Sequence, residues 1–269
     1  MNKAAYGQII PLFSKTKYFI FDMDGTFYLG DHMIPGAGDF ARGLAAKGLD
    51  YRFFTNNSSN SEEVCMAKLT KMGFPVEPGR VVLSSDVAAD YLNTHCPGAR
   101  TYLLGNERLT ADMLRAGVTL VRDDPDLILL GFDTTLDYEK ITRAANWIAE
   151  GLPYYATHPD RNCPVSGGFL PDTGSMIALF EASAGRRPVV LGKPMRTTVD
   201  YLTRLLHCSP DELVFVGDRL ETDIAIAADH GIPSVLVLTG VTTLEEYEAQ
   251  TEVKAGLVVG SMADLTEYI

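Results

Sequence analysis

Two carboxylates follow a short apolar stretch near the start of the chain, and their spacing is the first sign of chemistry. Residues 18–21 are Tyr-Phe-Ile-Phe, a pattern typical of a buried strand, and Asp22, Asp24, Gly25 and Thr26 come next. Open α/β sheets place their chemistry in loops at the carboxyl ends of strands. Two like charges about 4 Å apart repel by roughly 4 kcal/mol at an effective dielectric near 20, so a cation or a shared proton is expected there. The alternative is an ordinary solvated Asp-Gly turn.

Three later apolar stretches also end in polar residues. Predicted strands at 50–54, 189–191 and 213–216 lead respectively into Thr55-Asn56-Asn57, into Gly192-Lys193-Pro194, and into Gly217-Asp218 with Asp223 five residues on. If all four strands belong to one parallel sheet, these side chains meet at one edge of it. Several carboxylates without His or Cys favour a hard cation, Mg²⁺ in the first instance. A lysine and amide donors beside that ion suit phosphate oxygens.

Each of these residues also has a structural interpretation. Thr55 could cap the helix that follows it, and Asp223 could be a carboxylate at a helix start. Most single lysines are solvated, although Lys193 lies between a glycine and a proline, where a surface position is less common. Asn57 could serve either purpose.

Composition limits the classes of partner and compartment. With 23 basic and 35 acidic residues the chain has a formal net charge of −12, which argues against nucleic acid. No apolar run approaches the ~20 residues of a membrane span, and residues 1–17 lack the apolar core of a signal peptide. The four cysteines form no Cys-x-x-Cys pair, so we expect no disulfide or structural zinc and a cytoplasmic location.

Strand and helix patterns alternate along nearly the whole chain. This alternation predicts a doubly wound, Rossmann-like α/β fold with a parallel sheet, divided into two parts. We predict one part from residues 1–83 and 188–269 and a second, inserted α/β part from residues 84–187; the family resemblance given below implies that these are a catalytic core and an inserted cap domain. Residues 167–174, which are rich in glycine and proline, are expected to form a mobile or ligand-facing loop.

The order and spacing of these motifs resemble the haloacid dehalogenase superfamily of phosphohydrolases. The four strand ends match its four motifs in order, and further segments resemble its NagD-like or nitrophenylphosphatase-like branch. These segments span nearly the whole chain: Asp-Met-Asp-Gly-Thr-x-Tyr-x-Gly at 22–30, Ile34-Pro35-Gly36-Ala37, Thr55-Asn56-Asn57-Ser58, Ala156-Thr157-His158-Pro159-Asp160, Gly192-Lys193-Pro194 and Gly217-Asp218-Arg219 with Thr222-Asp223.

The resemblance implies a role for each motif residue. Asp22 would be the nucleophile that forms an aspartyl-phosphate, and Asp24 the general acid and base. Mg²⁺ would be held by Asp22, the backbone carbonyl of Asp24, Asp218 and, directly or through its water, Asp223. Phosphate would be bound by Thr55, by the backbone N–H groups of Asn56 and Asn57, and by Lys193.

Substrate selection is expected from two segments of the cap. Its candidate residues are His158, Asp160, Asp172 and Thr173. Relatives of this branch usually carry Asn where this chain has His158, which puts a substrate contact carried over to that position in doubt.

The resemblance implies a Mg²⁺-dependent hydrolase of a small phosphomonoester, a sugar phosphate or a nucleoside monophosphate. The alternatives are a phosphoryl transferase, a metal-free dehalogenase on the same fold, and a non-catalytic protein that binds a phosphate ligand. The expected partner is the small-molecule substrate, without nucleic acid or membrane. A homodimer is possible if the cap has spare apolar surface.

Overall fold

A computed structural model describes residues 11–165 and 167–269 of the chain. Residues 1–10, which carry part of the signal-peptide prediction and the start of the predicted core, lie outside the described residues. Within the described ranges, no helix has both the length and the apolar character needed to cross a lipid bilayer.

The strands of the described residues are numbered in chain order: β1 (Tyr18–Phe21), β2 (Tyr28–Leu29), β3 (His32–Met33), β4 (Asp50–Thr55), β5 (Val81–Leu83), β6 (Thr101–Leu104), β7 (Leu127–Leu130), β8 (Tyr154–Ala156), β9 (Asn162–Val165), β10 (Gly168–Pro171), β11 (Val189–Val190), β12 (Leu213–Gly217), β13 (Ser234–Val237) and β14 (Leu257–Val259). The α-helices are α1 (Ala37–Ala46), α2 (Glu62–Lys71), α3 (Ser84–His95), α4 (Glu107–Arg115), α5 (Tyr138–Glu150), α6 (Thr173–Ala184), α7 (Arg196–Leu206), α8 (Ala225–His230) and α9 (Leu244–Ala249).

The chain divides into two compact units. The first contains Met1–Phe54, Met66–Val82 and Leu202–Ile269, and the second contains Thr55–Cys65 and Leu83–Tyr201. Each unit has its own sheet, and the parallel α/β fold class expected from the alternating pattern is confirmed. The predicted domain division at residues 84 and 188 stays a prediction.

The sheet of the first unit has the strand order β14-β13-β12-β1-β4-β5. β1 is paired in parallel with β12 on one side and with β4 on the other, so that Phe21 lies beside Val216 and Phe53. The chain therefore winds in opposite directions from β1, and the boundary between β1 and β12 is the switch point where such sheets place ligands. Asp22 and Asp218 follow these two strands.

Aromatic side chains fill the core of the first unit. Phe19 and Phe21 on β1 lie in the core with Phe53 on β4, and all three are fully buried. Phe27 packs edge-on against Phe53 with ring centroids 4.7 Å apart, and Phe74 contacts Phe27 at 4.9 Å. Aromatic pairs of this kind add about 0.5–1.5 kcal/mol each beyond the area they bury. They hold the carboxyl end of β1 in place.

The sheet of the second unit has the strand order β11-β8-β7-β6, and its strands run parallel. α5 and α6 pack with it around Ile128, Leu130, Ile148 and Phe180. This sheet corrects one expectation. Strand β11, which leads into Lys193, pairs with β8 of this sheet and does not join β1, β4 and β12.

A second correction concerns the segment predicted as a mobile or ligand-facing loop at residues 167–174. Gly168–Pro171 forms β10, which pairs antiparallel with β9, and α6 begins at Thr173. The sequence pattern did not predict this strand, because the segment contains glycine and proline, which are both uncommon in strand interiors. β5 was also missed, since it has three residues and runs directly into α3.

Candidate active site

Three carboxylates of the first unit converge at the switch point of its sheet. Asp22, Asp218 and Asp223 place oxygens within 4.8 Å of one another. Asp22 follows β1 directly, and its backbone N–H continues the sheet by donating to the Val216 carbonyl at 2.9 Å. Asp223 lies in a π-helical turn, Leu220–Ile224, whose wider winding returns its side chain toward Asp218.

Asp218 is the most enclosed of the three carboxylates. One oxygen accepts the Thr26 hydroxyl at 3.3 Å, and the other accepts the Val241 backbone N–H at 2.7 Å. Burial, with the neighbouring Asp223 charge, raises the pKa of Asp218 to about 6. Gly25 has a positive φ of 85°, and a Cβ there would come within 2.5 Å of the Asp218 carboxylate, so only glycine fits.

This arrangement fits a divalent cation. Carboxylates this close, two of which are buried, repel one another, and a hard cation with oxygen ligands removes that repulsion. Among the described residues, this is the group of three acidic, His or Cys side chains that could hold a metal ion. All of the ligand atoms are oxygens, and oxygen ligands favour Mg²⁺ and Ca²⁺ over softer metals.

Asp24 lies in a different environment from Asp22, two residues away. Its side chain is 43% exposed, and the Lys68 ammonium lies 3.9 Å from its carboxylate. Burial raises the pKa of Asp24, while the charges of Lys68 and Arg219 oppose the shift. The Lys68 ammonium also lies 3.9 Å from the centre of the Tyr28 ring. A carboxyl group that keeps its proton at higher pH is suited to general acid work.

The predicted phosphate-binding residues belong to the second unit, where Asn56 has a specific task. Its side-chain oxygen accepts the Lys193 backbone N–H at 3.1 Å, and its amide nitrogen donates to the Lys193 carbonyl, also at 3.1 Å. That nitrogen donates further to Asp160 at 3.0 Å. Thr55 accepts the Asn57 backbone N–H at 3.1 Å through its hydroxyl oxygen. The structure thus joins Asn56, Lys193 and Asp160, with Thr55 and Asn57 adjacent in sequence.

Lys193 is 2% exposed, which excludes the solvated-surface interpretation. The preceding residue, Gly192, donates its N–H to the Thr157 carbonyl at 2.8 Å. A Cβ at Gly192 would clash with that carbonyl and come within 2.9 Å of the Asn56 side-chain oxygen. The close approach of the Thr157 backbone and the Asn56 side chain therefore requires glycine before this lysine.

Three of the four predicted selectivity residues are buried in the second unit. His158 is 0% exposed, and its Nε2 lies 2.9 Å from the Asp172 carboxylate. Asp172 also accepts the backbone N–H of Thr173 at 2.6 Å and its hydroxyl at 3.1 Å, which caps α6. Asp160 is partly exposed.

Sequence reasoning did not single out the contacts made by Thr26 and Lys68. Thr26 was visible as the last residue of the first motif, but its bond to Asp218 spans 192 positions of sequence. Lys68 lies on α2, and nothing in a helical pattern distinguishes it from other lysines on a helix. Contacts of this kind depend on the fold, which a motif does not contain.

Comparisons with known proteins show which family the chain belongs to. The family model for haloacid dehalogenase-like hydrolases matches residues 19–119, and a model for HAD-hydrolase-like proteins matches residues 190–265. An acid sugar phosphatase from Staphylococcus aureus (strain MRSA252) is 34% identical over 233 residues, which are 86% of this chain and 90% of that protein.

Two solved structures are similar over almost the whole length. The crystal structure of 4-nitrophenylphosphatase from Thermotoga maritima has a TM-score of 0.91 and 39% identity, covering 95% of this chain and 98% of that one. A structure described as a putative NagD protein has a TM-score of 0.88 and 37% identity, covering 94% of this chain and 98% of that one.

Proposed function

The chain belongs to the haloacid dehalogenase-like hydrolases, as a phosphatase of their NagD-like branch, and from that premise we propose that it is a Mg²⁺-dependent hydrolase of small phosphomonoesters. Sugar phosphates are the favoured substrates, since the similar protein from Staphylococcus aureus is an acid sugar phosphatase. Nucleoside monophosphates are the second choice. The observation that carries the proposal is the convergence of Asp22, Asp218 and Asp223 at the sheet's switch point.

The chemistry divides between the two aspartates of the first motif. The Asp22 carboxylate attacks phosphorus, and the bond from phosphorus to the alcohol oxygen breaks. Asp24 gives its proton to that departing oxygen, and the raised pKa of Asp24 supports this role. Asp24 then takes a proton from the water that hydrolyses the aspartyl-phosphate, which restores both residues.

The metal would be held by Asp22, the backbone carbonyl of Asp24, Asp218 and Asp223. When bound, Mg²⁺ supplies charge neutralisation between the nucleophile and the phosphate. Thr26 and Val241 orient Asp218 toward this task, because each donates to one of its two oxygens.

Phosphate oxygens are bound by Thr55, by the backbone N–H groups of Asn56 and Asn57, and by the Lys193 ammonium. The second unit supports this proposal by holding the Lys193 backbone on both its N–H and its carbonyl. Substrate selection comes from the segments that contain His158, Asp160, Asp172 and Thr173. We further propose a cap domain near residues 84–187, a cytoplasmic location consistent with four free cysteines, and a possible homodimer.

The experiment that tests this function is the Asp22→Asn variant assayed on 4-nitrophenyl phosphate. The variant keeps the shape of the side chain but removes the nucleophile, so turnover is expected to fall by about 10³-fold or more. Circular dichroism and thermal unfolding serve as the folding control. A folded variant with full activity would contradict the mechanism.

Two further assays separate the alternatives. A chelator is expected to abolish activity and added Mg²⁺ to restore it, whereas a metal-free dehalogenase would be insensitive to both. Replacing part of the water by an alcohol acceptor distinguishes a phosphoryl transferase, which would form a new phosphomonoester. A phosphomonoester panel then identifies the substrate, and binding without turnover across that panel would indicate a ligand-binding protein.

A further inference from the structure

A chain of hydrogen bonds runs through the second unit and ends on Asp172. The Asp172 Oδ1 atom that lies 2.9 Å from His158 Nε2 also accepts the Thr173 backbone N–H and hydroxyl, so Nε2 is the donor in this bond. The other ring nitrogen, Nδ1, lies 2.9 Å from the Thr157 hydroxyl oxygen and 3.5 Å from that of Ser84. The Thr157 and Ser58 hydroxyls are hydrogen-bonded at 3.0 Å, and Ser58 accepts the Phe132 N–H at 2.9 Å.

The side chains of this hydrogen-bonded chain are buried. Ser58, Thr157 and His158 have no exposed surface, and Asp172 is 3% exposed. Buried polar groups that are fully hydrogen-bonded specify one arrangement, because losing one bond leaves its partner unsatisfied in a low dielectric. These hydrogen bonds therefore fix the position of residues 157–160, which lie between β8 and β9 and which we call the 157–160 loop.

The 157–160 loop holds Lys193 from both of its ends. At one end, the Thr157 carbonyl accepts the N–H of Gly192 at 2.8 Å. At the other end, the Asp160 carboxylate accepts the Asn56 amide at 3.0 Å, and the same Asn56 side chain bonds the N–H and the carbonyl of Lys193. A displacement of the loop would therefore move Lys193.

The loop is in turn attached to the first turn of α6 at two points. His158 bonds Asp172, and the Asp160 carbonyl accepts the Gly174 N–H at 2.7 Å. A Cβ at Gly174 would come within 2.9 Å of Asp160 backbone atoms, so the contact is close. An asparagine at position 158 is shorter than histidine by the outer part of the ring and could not reach Asp172 from the same backbone.

We propose that His158 and Asp172 are positioning residues that fix the Lys193 ammonium for phosphate binding by attaching the 157–160 loop to α6. The inference rests on the proposed phosphate-binding role of Lys193. In this proposal the buried His158–Asp172 pair acts on Lys193 through the 157–160 loop and Asn56. Contact with the substrate is left to residues with exposed surface, such as Asp160.

The test compares two variants of His158 whose side-chain amides take the places of different ring nitrogens. His158→Asn places its amide near Nδ1 and can serve Thr157 but not Asp172. His158→Gln places its amide near Nε2 and can donate to Asp172. Hydrogen exchange of the segment at 189–195 reports whether the Gly192 and Lys193 amides stay protected, and calorimetric titration with inorganic phosphate in Mg²⁺ reports the anion site.

With His158→Asn, exchange at 189–195 is expected to accelerate about tenfold, and phosphate affinity and kcat/KM to fall by about ten- to a hundredfold. His158→Gln should show smaller changes in all three. Asp172→Ala removes the same bond and also the cap of α6, so its losses should be at least those of His158→Asn, and the double variant should be no worse than Asp172→Ala alone.

Three results would overturn the inference. They are a folded His158→Asn with unchanged exchange and phosphate affinity, equal losses in the Gln and Asn variants, and equally faster exchange in β7, which would indicate general destabilisation. Failure of the proposed function is a separate outcome. The wild-type protein would then hydrolyse no phosphomonoester, but hydrogen exchange at 189–195 could still be compared between the wild type and the His158 variants.

Discussion

Asp218 is the residue on which metal binding and protonation compete most directly. It is buried beside Asp223, and its pKa is raised to about 6. A raised carboxyl pKa means that the protonated form persists to higher pH, and a protonated carboxylate is a poor metal ligand. Metal affinity is therefore expected to be full above the pKa and to fall as the pH drops through 6.

The matching experiment is calorimetric titration of Mg²⁺ over a pH series that crosses 6. Below the pKa, apparent affinity should fall by about tenfold per pH unit for each proton displaced. Asp218→Asn should bind Mg²⁺ about ten- to a hundredfold more weakly at neutral pH and lose most of this pH dependence. A flat affinity profile in the wild-type protein would contradict the role given to Asp218.

At this scale the sequence predicts the convergence of Asp22 and Asp218 because both follow short apolar strands directly. Asp223 converges for a reason that spacing does not contain, since a π-helical turn directs its side chain toward Asp218. The pairing of Lys68 with Asp24 is likewise a product of the fold.

The first turn of helix α3 contains a partly buried carboxyl group, Asp86, whose ionised form is disfavoured by burial. Asp86 accepts the Leu83 backbone N–H at 2.8 Å, which caps the helix. Burial, helped by the charges of Asp112 and Glu62, nevertheless raises the pKa of Asp86 from its ordinary 3.8 to about 6. The folded state then binds this proton more tightly than the unfolded state, so stability is lost as the pH rises from about 4 through 6.

Asp86→Asn keeps an oxygen that can accept from Leu83 and removes the charge. The variant is expected to be more stable than wild type at neutral pH by about 1–3 kcal/mol, with the gain vanishing as the pH falls toward 4. Thermal unfolding at several pH values measures both the gain and its disappearance. A variant that is less stable than wild type at neutral pH would show that the cap needs the charged group.

Two short strands could not be assigned from the sequence. β11 has two residues, Val189 and Val190, and so short an apolar run does not indicate which sheet it joins. Pairing with β8 is decided by the tertiary contacts of the second unit. Gly168–Pro171 is a strand because β9 supplies its partner, although its own residues favour a loop.

For the whole molecule, the alternation of strands and helices was enough to predict a parallel α/β fold in two parts. The predicted part at 1–83 and 188–269 contains all four motifs, and that division stays a prediction. Asp22, Asp24, Asp218 and Asp223 belong to the first unit, whereas Thr55, Asn56 and Lys193 belong to the second. Membership depends on long-range contacts, which Asn56 and Lys193 make across 137 positions of sequence.

This division leads to a prediction about where a metal ion stabilises the chain. All four proposed ligands lie in the first unit, so Mg²⁺ should stabilise that unit without any ligand from the second. At about 100 times its Kd, a ligand that binds only the folded state contributes about 2.7 kcal/mol. Hydrogen exchange should slow in segments near residues 18–26 and 213–241, and stay unchanged in α5 and β7. Asp218→Asn is the matched control and should lose most of this protection. Equal protection of α5 would contradict a metal site confined to the first unit.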